Sequence, residues 1–202
     1  GIRDQPRSRG LGDVYKRQPT IIGICEVENR NVVEDLIANE KLSKYNYGIV
    51  HYDSPDRRGI DVGLLYNKDI FKVINSNSHV LYINYNNTSD RSYTRDQLVV
   101  SGKLDGELIH LIVNHWPSRG ADETKRMAAA EVNNSIIDSL RKIHDNPKII
   151  TMGDFNDDPF DKSIKKILGA KKKIEDVGKN DLYNPFEEIL VEKCIVTIAY
   201  RD

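Results

Sequence analysis

The chain has 202 residues, of which 39% are hydrophobic and 30% are charged, and its formal net charge is −1 at pH 7. This composition fits one globular domain with a sizeable core, and it excludes a polycation built to coat nucleic acid. The two cysteines, Cys25 and Cys194, are too few for a four-thiolate metal site or a disulfide framework. No apolar run is long enough to span a bilayer.

Residues 1–18 differ in character from the rest of the chain. They carry five Lys or Arg against two Asp and show neither a helical nor a strand period. We interpret them as a non-native or disordered tail and place the domain at residues 19–202. Because the pattern also stops in mid-element at Asp202, we expect the first and last strands of the domain to be missing. The sequence therefore leaves the cellular compartment open.

The first half of the domain is predicted to be mostly strand. A short apolar strand at residues 20–25 precedes an amphipathic helix at residues 29–42, where Asn31 and Glu34 have the spacing of a capping box. Strand-like segments separated by turn residues come next, at residues 47–52, 61–67, 71–77 and 79–85.

The second half alternates strands and helices. Residues 96–116 predict a hairpin with its turn at Asp105 and Gly106, and residues 121–144 predict the longest helix. The predicted buried stripe of that helix is Ala128, Val132, Ile136, Leu140 and Ile143. The remaining elements are a strand at 148–152, a short helix at 161–168 and a weak helix or loop at 179–190. This order predicts an α+β domain in which sheets are covered by helices.

The sequence GDFNDDP follows the strand at residues 148–152 and groups several oxygen-bearing side chains. An EF-hand loop is excluded because its sixth position is Pro159 instead of Gly. Alternation along an extended chain would place Asp154 and Asn156 on one face, about 7 Å apart, where they could orient a water and bind a phosphate oxygen. Asp157 and Asp158 are more simply interpreted as turn or helix-start residues.

Glu26 comes at the carboxyl end of the first apolar strand, where sheet proteins often place ligand groups. One well-placed carboxylate is enough for Mg²⁺, because this ion keeps several of its waters. Glu28 is either a solvated acid at the helix start or a site residue. Asn29 either caps the helix or contacts substrate.

His115 ends the predicted hairpin and is followed by a stiff turn at residues 116–117. Asn114 precedes it and Arg119 follows it, and an imidazole and a guanidinium at one rim suit a phosphate. His110, inside the same strand, is interpreted as a structural residue.

Two Arg/Asp pairs precede strands, Arg58 with Asp61 and Arg95 with Asp96. A surface salt bridge is the simpler interpretation of each pair, since such pairs are common and weak. Arg58 is kept as a candidate substrate-binding residue.

The segments GICEVEN, RGIDVGLLYN, VNHWPSR and MGDFNDDP, in this order, resemble the endonuclease/exonuclease/phosphatase superfamily over nearly all of residues 19–202. That superfamily includes pancreatic-type deoxyribonucleases, abasic-site endonucleases, sphingomyelinases and inositol-polyphosphate phosphatases. The resemblance implies a four-layer α/β/β/α sandwich of two packed, mostly antiparallel sheets flanked by helices, incomplete in this chain. It also implies a phosphodiesterase, nuclease or phosphatase that depends on Mg²⁺ or Mn²⁺.

The resemblance also implies residue roles. Glu26 matches the metal-binding glutamate, although Cys25 stands where Gln is common. His115 matches a catalytic residue that contacts the scissile phosphate. Asp154 matches the aspartate that orients the attacking water, and Asn156 matches the asparagine beside it. The candidate substrate-binding residues are Asn29, Arg58, Asn114 and Arg119.

Two superfamily elements have no counterpart in the sequence. They are a first strand ending in a metal-holding Asn and a terminal Ser-Asp-His element that completes the site. His51, His79 and His144 lack the context to replace that histidine. We therefore expect weak or no activity from these 202 residues alone.

The expected partner is a phosphoester substrate, with nucleic acid among the candidates and no obligate protein partner evident. Tyr93 and Trp116 could stack on a base, or could belong to the core or the rim. The alternative function is a non-catalytic member that binds phosphate or nucleic acid. The intact EVEN, HWPSR and GDFND segments argue against that alternative.

Overall fold

The structure is a computed structural model that describes residues 19–84 and 91–193, with the backbone alone for residues 190–193. The predicted tail at residues 1–18 and the final predicted element, with Cys194, lie outside the described residues. None of the described helices combines the length and the apolar character that a membrane span requires.

The first sheet is antiparallel and has the strand order β1-β3-β2. Its strands are β1 (Ile21–Val27), β2 (Tyr47–His51) and β3 (Asp61–Asn67). Helix α1 (Arg30–Ala38) covers one face, where Val33 packs in a cluster with Val27, Tyr47 and Leu65. Along β3 the side chains alternate between this face and the opposite one, as a strand covered on both faces requires.

Asn29, and not the predicted Asn31, caps α1. The Asn29 side chain accepts a hydrogen bond from the Val32 backbone N–H at 3.1 Å, so the helix begins two residues earlier than the capping box implied. Glu34 is consequently free to pair with Arg30, at 2.7 Å, on the exposed side of the helix.

The second sheet has the order β4-β7-β8-β9, and a separate ribbon pairs β5 with β6. The elements are β4 (Phe71–His79), β5 (Ile83–Asn84), β6 (Arg91–Ser92), β7 (Gln97–Leu104), β8 (Glu107–His115) and β9 (Lys148–Asp154). β8 and β9 are parallel, and the other pairs are antiparallel. The predicted turn between β7 and β8 is observed, with φ of 50° at Asp105 and 83° at Gly106, the left-handed conformation that tight hairpins require.

The two sheets pack face to face, and helices cover their outer faces. The inter-sheet core contains Val50, Leu64, Phe71, Val100, Leu111 and Val113. Helix α2 (Glu123–Ile143) covers the outer face of the second sheet, where Ile136 and Ile137 meet Val99 and Ile112. This arrangement confirms the predicted four-layer α+β sandwich.

The predicted stripe of α2 is only partly right. Ile136 is buried, but Ile143 is 73% exposed at the end of the helix. The buried face contains two polar residues, Arg126 and Asn133, which the predicted apolar stripe does not include. Each is buried because it finds polar partners in the interior, as described below.

The last elements are short. A π-helical turn at Ser163–Ile167 lies within the predicted short helix, and α3 (Phe186–Lys193) replaces the predicted weak helix or loop. Within the described part of the strand predicted at residues 79–85, only His79, the last residue of β4, and the two residues of β5 are in strands.

Candidate functional site

The carboxyl ends of β1, β8 and β9 converge although β1 belongs to the other sheet. Gly23 of β1 makes this approach possible, because a Cβ there would lie 3.1 Å from Met152 Sδ and 3.3 Å from Val113 Cγ1. Glu26, His115 and Asp154 follow these three contact positions by two or three residues. The predicted metal ligand Glu26 and the predicted catalytic residues His115 and Asp154 thus lie at one edge of the sandwich.

Glu26 occupies a β-bulge. The pairing of β1 with β3 shifts register between Cys25 and Val27, which leaves Glu26 as the extra residue. Its φ of 59° is left-handed, a conformation that costs a residue with a side chain on the order of 1–3 kcal/mol. Glu26 is exposed, and its negative charge acts on the pKa of His115.

The parallel register of β8 and β9 sets His115 opposite Asp154. His115 Nε2 lies 3.9 Å from Asp154 Oδ2, too far for a hydrogen bond, and the carboxylate is about half-exposed while the imidazole is buried. The pair is therefore accessible to solvent on the side of Asp154.

The charges around His115 define the site electrostatically. Burial lowers the pKa of His115, and the positive charge of Arg95 lowers it further, while Asp154 and Glu26 act in the opposite direction. His115 Nδ1 is buried and has no hydrogen-bond partner in the described part of the chain. At neutral pH the imidazole is uncharged and lies among two carboxylates and a guanidinium.

Gly153 is required by the close approach of β9 to β8. Its φ is 124°, and a Cβ at this position would lie 2.0 Å from the Asn114 carbonyl oxygen. Only a residue without a side chain fits, and the next residue, Asp154, pairs with His115 in the ladder.

Asn156 lies differently from the prediction. The chain does not continue extended after Asp154, because Asn156 has φ of 51° and its N–H donates to Asp154 Oδ1 at 2.9 Å. The Asn156 side chain turns back and donates to the Trp116 carbonyl at 2.9 Å. The expected alternation at about 7 Å is therefore replaced by a tight Asx turn.

The predicted substrate-binding residues divide into two groups. Asn29 caps α1, and Asn114 is fully buried, so both side chains have structural partners. Arg58 is exposed, and its charge acts on His115. Arg119 is half-exposed and lies 2.8 Å from Asp158 and 3.0 Å from Asp161.

Asn114 supports the site from inside. Its amide donates to Thr151 Oγ1 at 2.9 Å, and its side-chain oxygen accepts from Trp116 Nε1 at 3.0 Å and Asn133 Nδ2 at 2.9 Å. This network of hydrogen bonds joins β8, β9 and α2 at the residue that precedes His115. The predicted substrate-binding residue Asn114 thus has its side chain buried and hydrogen-bonded within the fold.

Arg95 is the main residue that sequence reasoning missed. Its Nε donates to the His115 carbonyl at 3.2 Å and its Nη2 to the Trp116 carbonyl at 2.6 Å, while Nη1 pairs with Asp56 at 3.1 Å. The predicted surface pair with Asp96 is wrong, since both residues are buried and Asp96 instead accepts from Leu81 N. No local signal identifies Arg95, because its partners are about twenty or more residues away.

The pair predicted between Arg58 and Asp61 is also replaced. Asp61 is buried and lies 3.0 Å from His51 Nε2, and it accepts hydrogen bonds from the Ser54 N–H and hydroxyl at 2.8 and 2.6 Å. Ligand atoms of His51, Asp53 and Asp61 all lie within 4.8 Å of one another, so this group could hold a metal ion. The contacts of Asp61 equally anchor the segment that carries Arg58.

The remaining residues of GDFNDDP and HWPSR are structural. Trp116 is fully buried against Phe155, with ring centroids 4.7 Å apart, so the core alternative holds for Trp116. The Asp157 side chain is also buried and pairs with Arg126 at 2.6 Å, which explains the buried arginine of α2. His110 is buried and bonded to Ser101 Oγ at 2.7 Å, as its structural interpretation predicted.

A sequence profile described as the endonuclease/exonuclease/phosphatase family matches residues 8–202, which is nearly the whole chain. The chain belongs to this family. A comparison with curated protein sequences gave no match.

Solved structures of the family share the fold at low identity. The human Nocturnin catalytic domain with bound sulfate has a TM-score of 0.59 and 19% identity over 78% of this chain and 60% of its own. ANGEL2, a 2′,3′-cyclic phosphatase, has a TM-score of 0.59 and 16% identity over 85% of this chain and 49% of its own. Danio rerio TDP2 with a single-strand DNA product has a TM-score of 0.54 and 14% identity over 77% of this chain and 53% of its own. This family member thus spans about half to three fifths of the length of these structures.

Proposed function

We propose that the protein hydrolyses phosphoester bonds with the help of a divalent cation, Mg²⁺ or Mn²⁺, as a nuclease or phosphodiesterase in which water attacks phosphorus in line. The observation that carries this proposal is the convergence of Glu26, His115 and Asp154 from three strands of two sheets. Family membership supports phosphoester chemistry at the coarser level.

The donor groups present fit a hard divalent cation. Glu26 offers an exposed carboxylate held out by its bulge, and Asp154 offers a second, half-exposed carboxylate nearby. Oxygen ligands of this kind are the ones that Mg²⁺ and Mn²⁺ prefer. Glu26 would hold the cation, which when bound supplies Lewis-acid stabilisation of charge on the phosphoryl oxygens.

The other side chains divide the remaining work. Asp154 Oδ1 is engaged by the Asn156 N–H, which leaves Oδ2 to orient or deprotonate the attacking water. The neutral His115 ring contacts a phosphoryl oxygen by a hydrogen bond. The Asn156 side-chain amide donates one hydrogen to the Trp116 carbonyl, and its second hydrogen is available to the phosphate. Arg58 supplies positive charge at the rim.

The solved structures with this fold support a phosphate-like anion as the ligand of the site. Nocturnin holds a sulfate, TDP2 holds a single-strand DNA product, and ANGEL2 is a cyclic phosphatase. They leave endonuclease, exonuclease and phosphatase activity as alternatives for this chain.

The test is hydrolysis of methyl p-nitrophenyl phosphate at increasing Mg²⁺, by this chain and by the longest natural form of the protein that contains it. We expect turnover that needs the cation and falls about 10²- to 10⁴-fold in Asp154→Asn. Asp138→Asn, an exposed carboxylate on α2, is the matched control and should leave turnover unchanged. Equal rates in the parent and Asp154→Asn would overturn the proposal.

A further inference from the structure

Tyr82, Arg91 and Tyr93 form an exposed cluster beside the second sheet. The Arg91 guanidinium carbon lies 5.3 Å from the ring centroid of Tyr82 and 5.0 Å from that of Tyr93. The tyrosines are 58% and 46% exposed, which is unusual for two large aromatic residues so close together. Arg57 approaches Tyr93 from the segment before β3, at 6.0 Å from its ring. We call these four residues the tyrosine platform.

The platform is held in place by the core. Tyr82 lies between the buried residues Leu81 and Ile83, and Tyr93 directly precedes the buried Thr94. Arg91 Nε and Nη2 are buried and have no hydrogen-bond partner among residues 19–84 and 91–193. The guanidinium lies within cation–π distance of both rings, and its positive charge also acts on the Asp96 carboxyl.

The platform adjoins the site that holds His115. Tyr93 lies two residues before Arg95, whose guanidinium donates to the His115 carbonyl at 3.2 Å. Arg57 is followed by Arg58, whose charge acts on His115. Asp56, which directly precedes Arg57, pairs with Arg95 at 3.1 Å, so Tyr93 and Arg57 both lie within two residues of the ion pair that contacts His115.

We propose that the tyrosine platform stacks an unpaired base of the substrate, so that the protein acts on single-stranded nucleic acid or nucleotides in preference to base-free phosphoesters. The proposal rests on the proposed function, which places the phosphate at His115. Exposed aromatic rings bind bases of any sequence through their faces, and neighbouring arginines add cation–π attraction and a field for phosphate. A duplex keeps its base faces stacked, so the platform selects against paired strands.

The test is binding of two fluorescein-labelled oligomers of about ten nucleotides, oligothymidylate and an abasic strand of the same length and charge. Fluorescence anisotropy should show tighter binding of the oligothymidylate by the parental chain. Tyr93→Leu should weaken that binding about 5- to 100-fold and leave the abasic strand unaffected. Tyr93→Phe keeps the ring and should bind as the parent does.

Tyr183→Leu is the matched control. Tyr183 is also exposed, and its neighbour Leu182 lies with Ile149 at the opposite end of β9 from Asp154. This variant should bind both oligomers as the parent does.

Equal affinity of the parent for the two oligomers would overturn the proposal that the platform stacks a base. An equal loss of affinity for both oligomers in Tyr93→Leu would overturn it as well. Hydrolysis of methyl p-nitrophenyl phosphate separates this result from the proposed function. Hydrolysis without base-dependent binding overturns the platform alone. Base-dependent binding with no Mg²⁺-dependent hydrolysis in any natural form overturns the proposed function and leaves the platform standing as a binding site.

Discussion

At the scale of single residues, the state of His115 depends on its surroundings. Burial lowers the pKa of His115, and Arg95 lowers it further. Arg95 is fixed by hydrogen bonds to the His115 and Trp116 carbonyls and by its pair with Asp56, so its charge keeps one position. The result is an imidazole that stays neutral at pH values where an exposed histidine is already protonated.

We expect the His115 ring to titrate below its ordinary value of 6.5 in an NMR titration. The double variant Arg95→Gln/Asp56→Asn removes the guanidinium together with the carboxylate it pairs with, so the midpoint should move up towards 6.5. Arg58→Gln, which removes a smaller contribution, should move it less. An unchanged midpoint in the double variant would show that burial alone sets the pKa.

The same shift affects stability with a defined sign. Between pH 6.5 and the lower native pKa of His115, the unfolded chain binds a proton at this histidine and the native chain does not. The free energy of unfolding should therefore fall as the pH is lowered from 6.5 through the native pKa of His115. Urea unfolding at a series of pH values measures this slope.

At the scale of elements, the bulge in β1 gives a candidate site residue a backbone conformation that lowers the stability of the fold. Glu26 keeps a left-handed φ of 59° that glycine would adopt without strain. The unfavourable conformation is retained at the residue that aims a carboxylate at the site, as is typical of functional positions.

Glu26→Gly should be more stable than Glu26→Gln by about 1 kcal/mol, since glycine relieves the strain and glutamine does not. Both variants should bind Mn²⁺ more weakly than the parent, because both lack the carboxylate. Urea unfolding measures the first difference, and electron paramagnetic resonance of free Mn²⁺ measures the second. A glycine variant less stable than the glutamine variant would contradict the assignment of strain.

Elements whose conformation depends on neighbouring residues in the sequence were predictable. Features that depend on contacts with distant parts of the chain were not. The turn at Asp105 and Gly106 follows from its own two residues, so it was found in place. The buried face of α2 was misplaced because Arg126 and Asn133 are polar, and their partners Asp157 and Asn114 come from other elements. Asn156 combines both cases, because its turn is a local contact with Asp154 whereas its side chain is held by the distant Trp116 carbonyl.

At the scale of the whole molecule, the distance between the sheets determines whether the site exists. The first sheet supplies Glu26, and the second supplies His115 and Asp154. The sheets come close at Gly23, where Met152 Sδ and Val113 Cγ1 fill the space that a side chain would need. Packing in the centre of the sandwich thus controls geometry at its edge.

Gly23→Val should lower the free energy of unfolding by about 1–3 kcal/mol, because the added methyl groups overpack the contact with Met152. Met152→Ala in the same chain should recover part of that loss, giving a coupling of about 0.5–3 kcal/mol in a double-mutant cycle measured by urea unfolding. Gly120→Val is the control, since the nearest atom to a Cβ there is 3.8 Å away. Additive effects of the two core substitutions would contradict the close contact.

The parallel pairing of β8 with β9 has a consequence for how this protein could diversify. His115 and Asp154 stand opposite each other through the ladder itself, and not through the chain between them. That intervening crossover can therefore gain or lose residues, for example at the turn around Asn146, without altering the separation of the two side chains. Relatives could acquire extra loops or appended modules here while their chemistry stays the same.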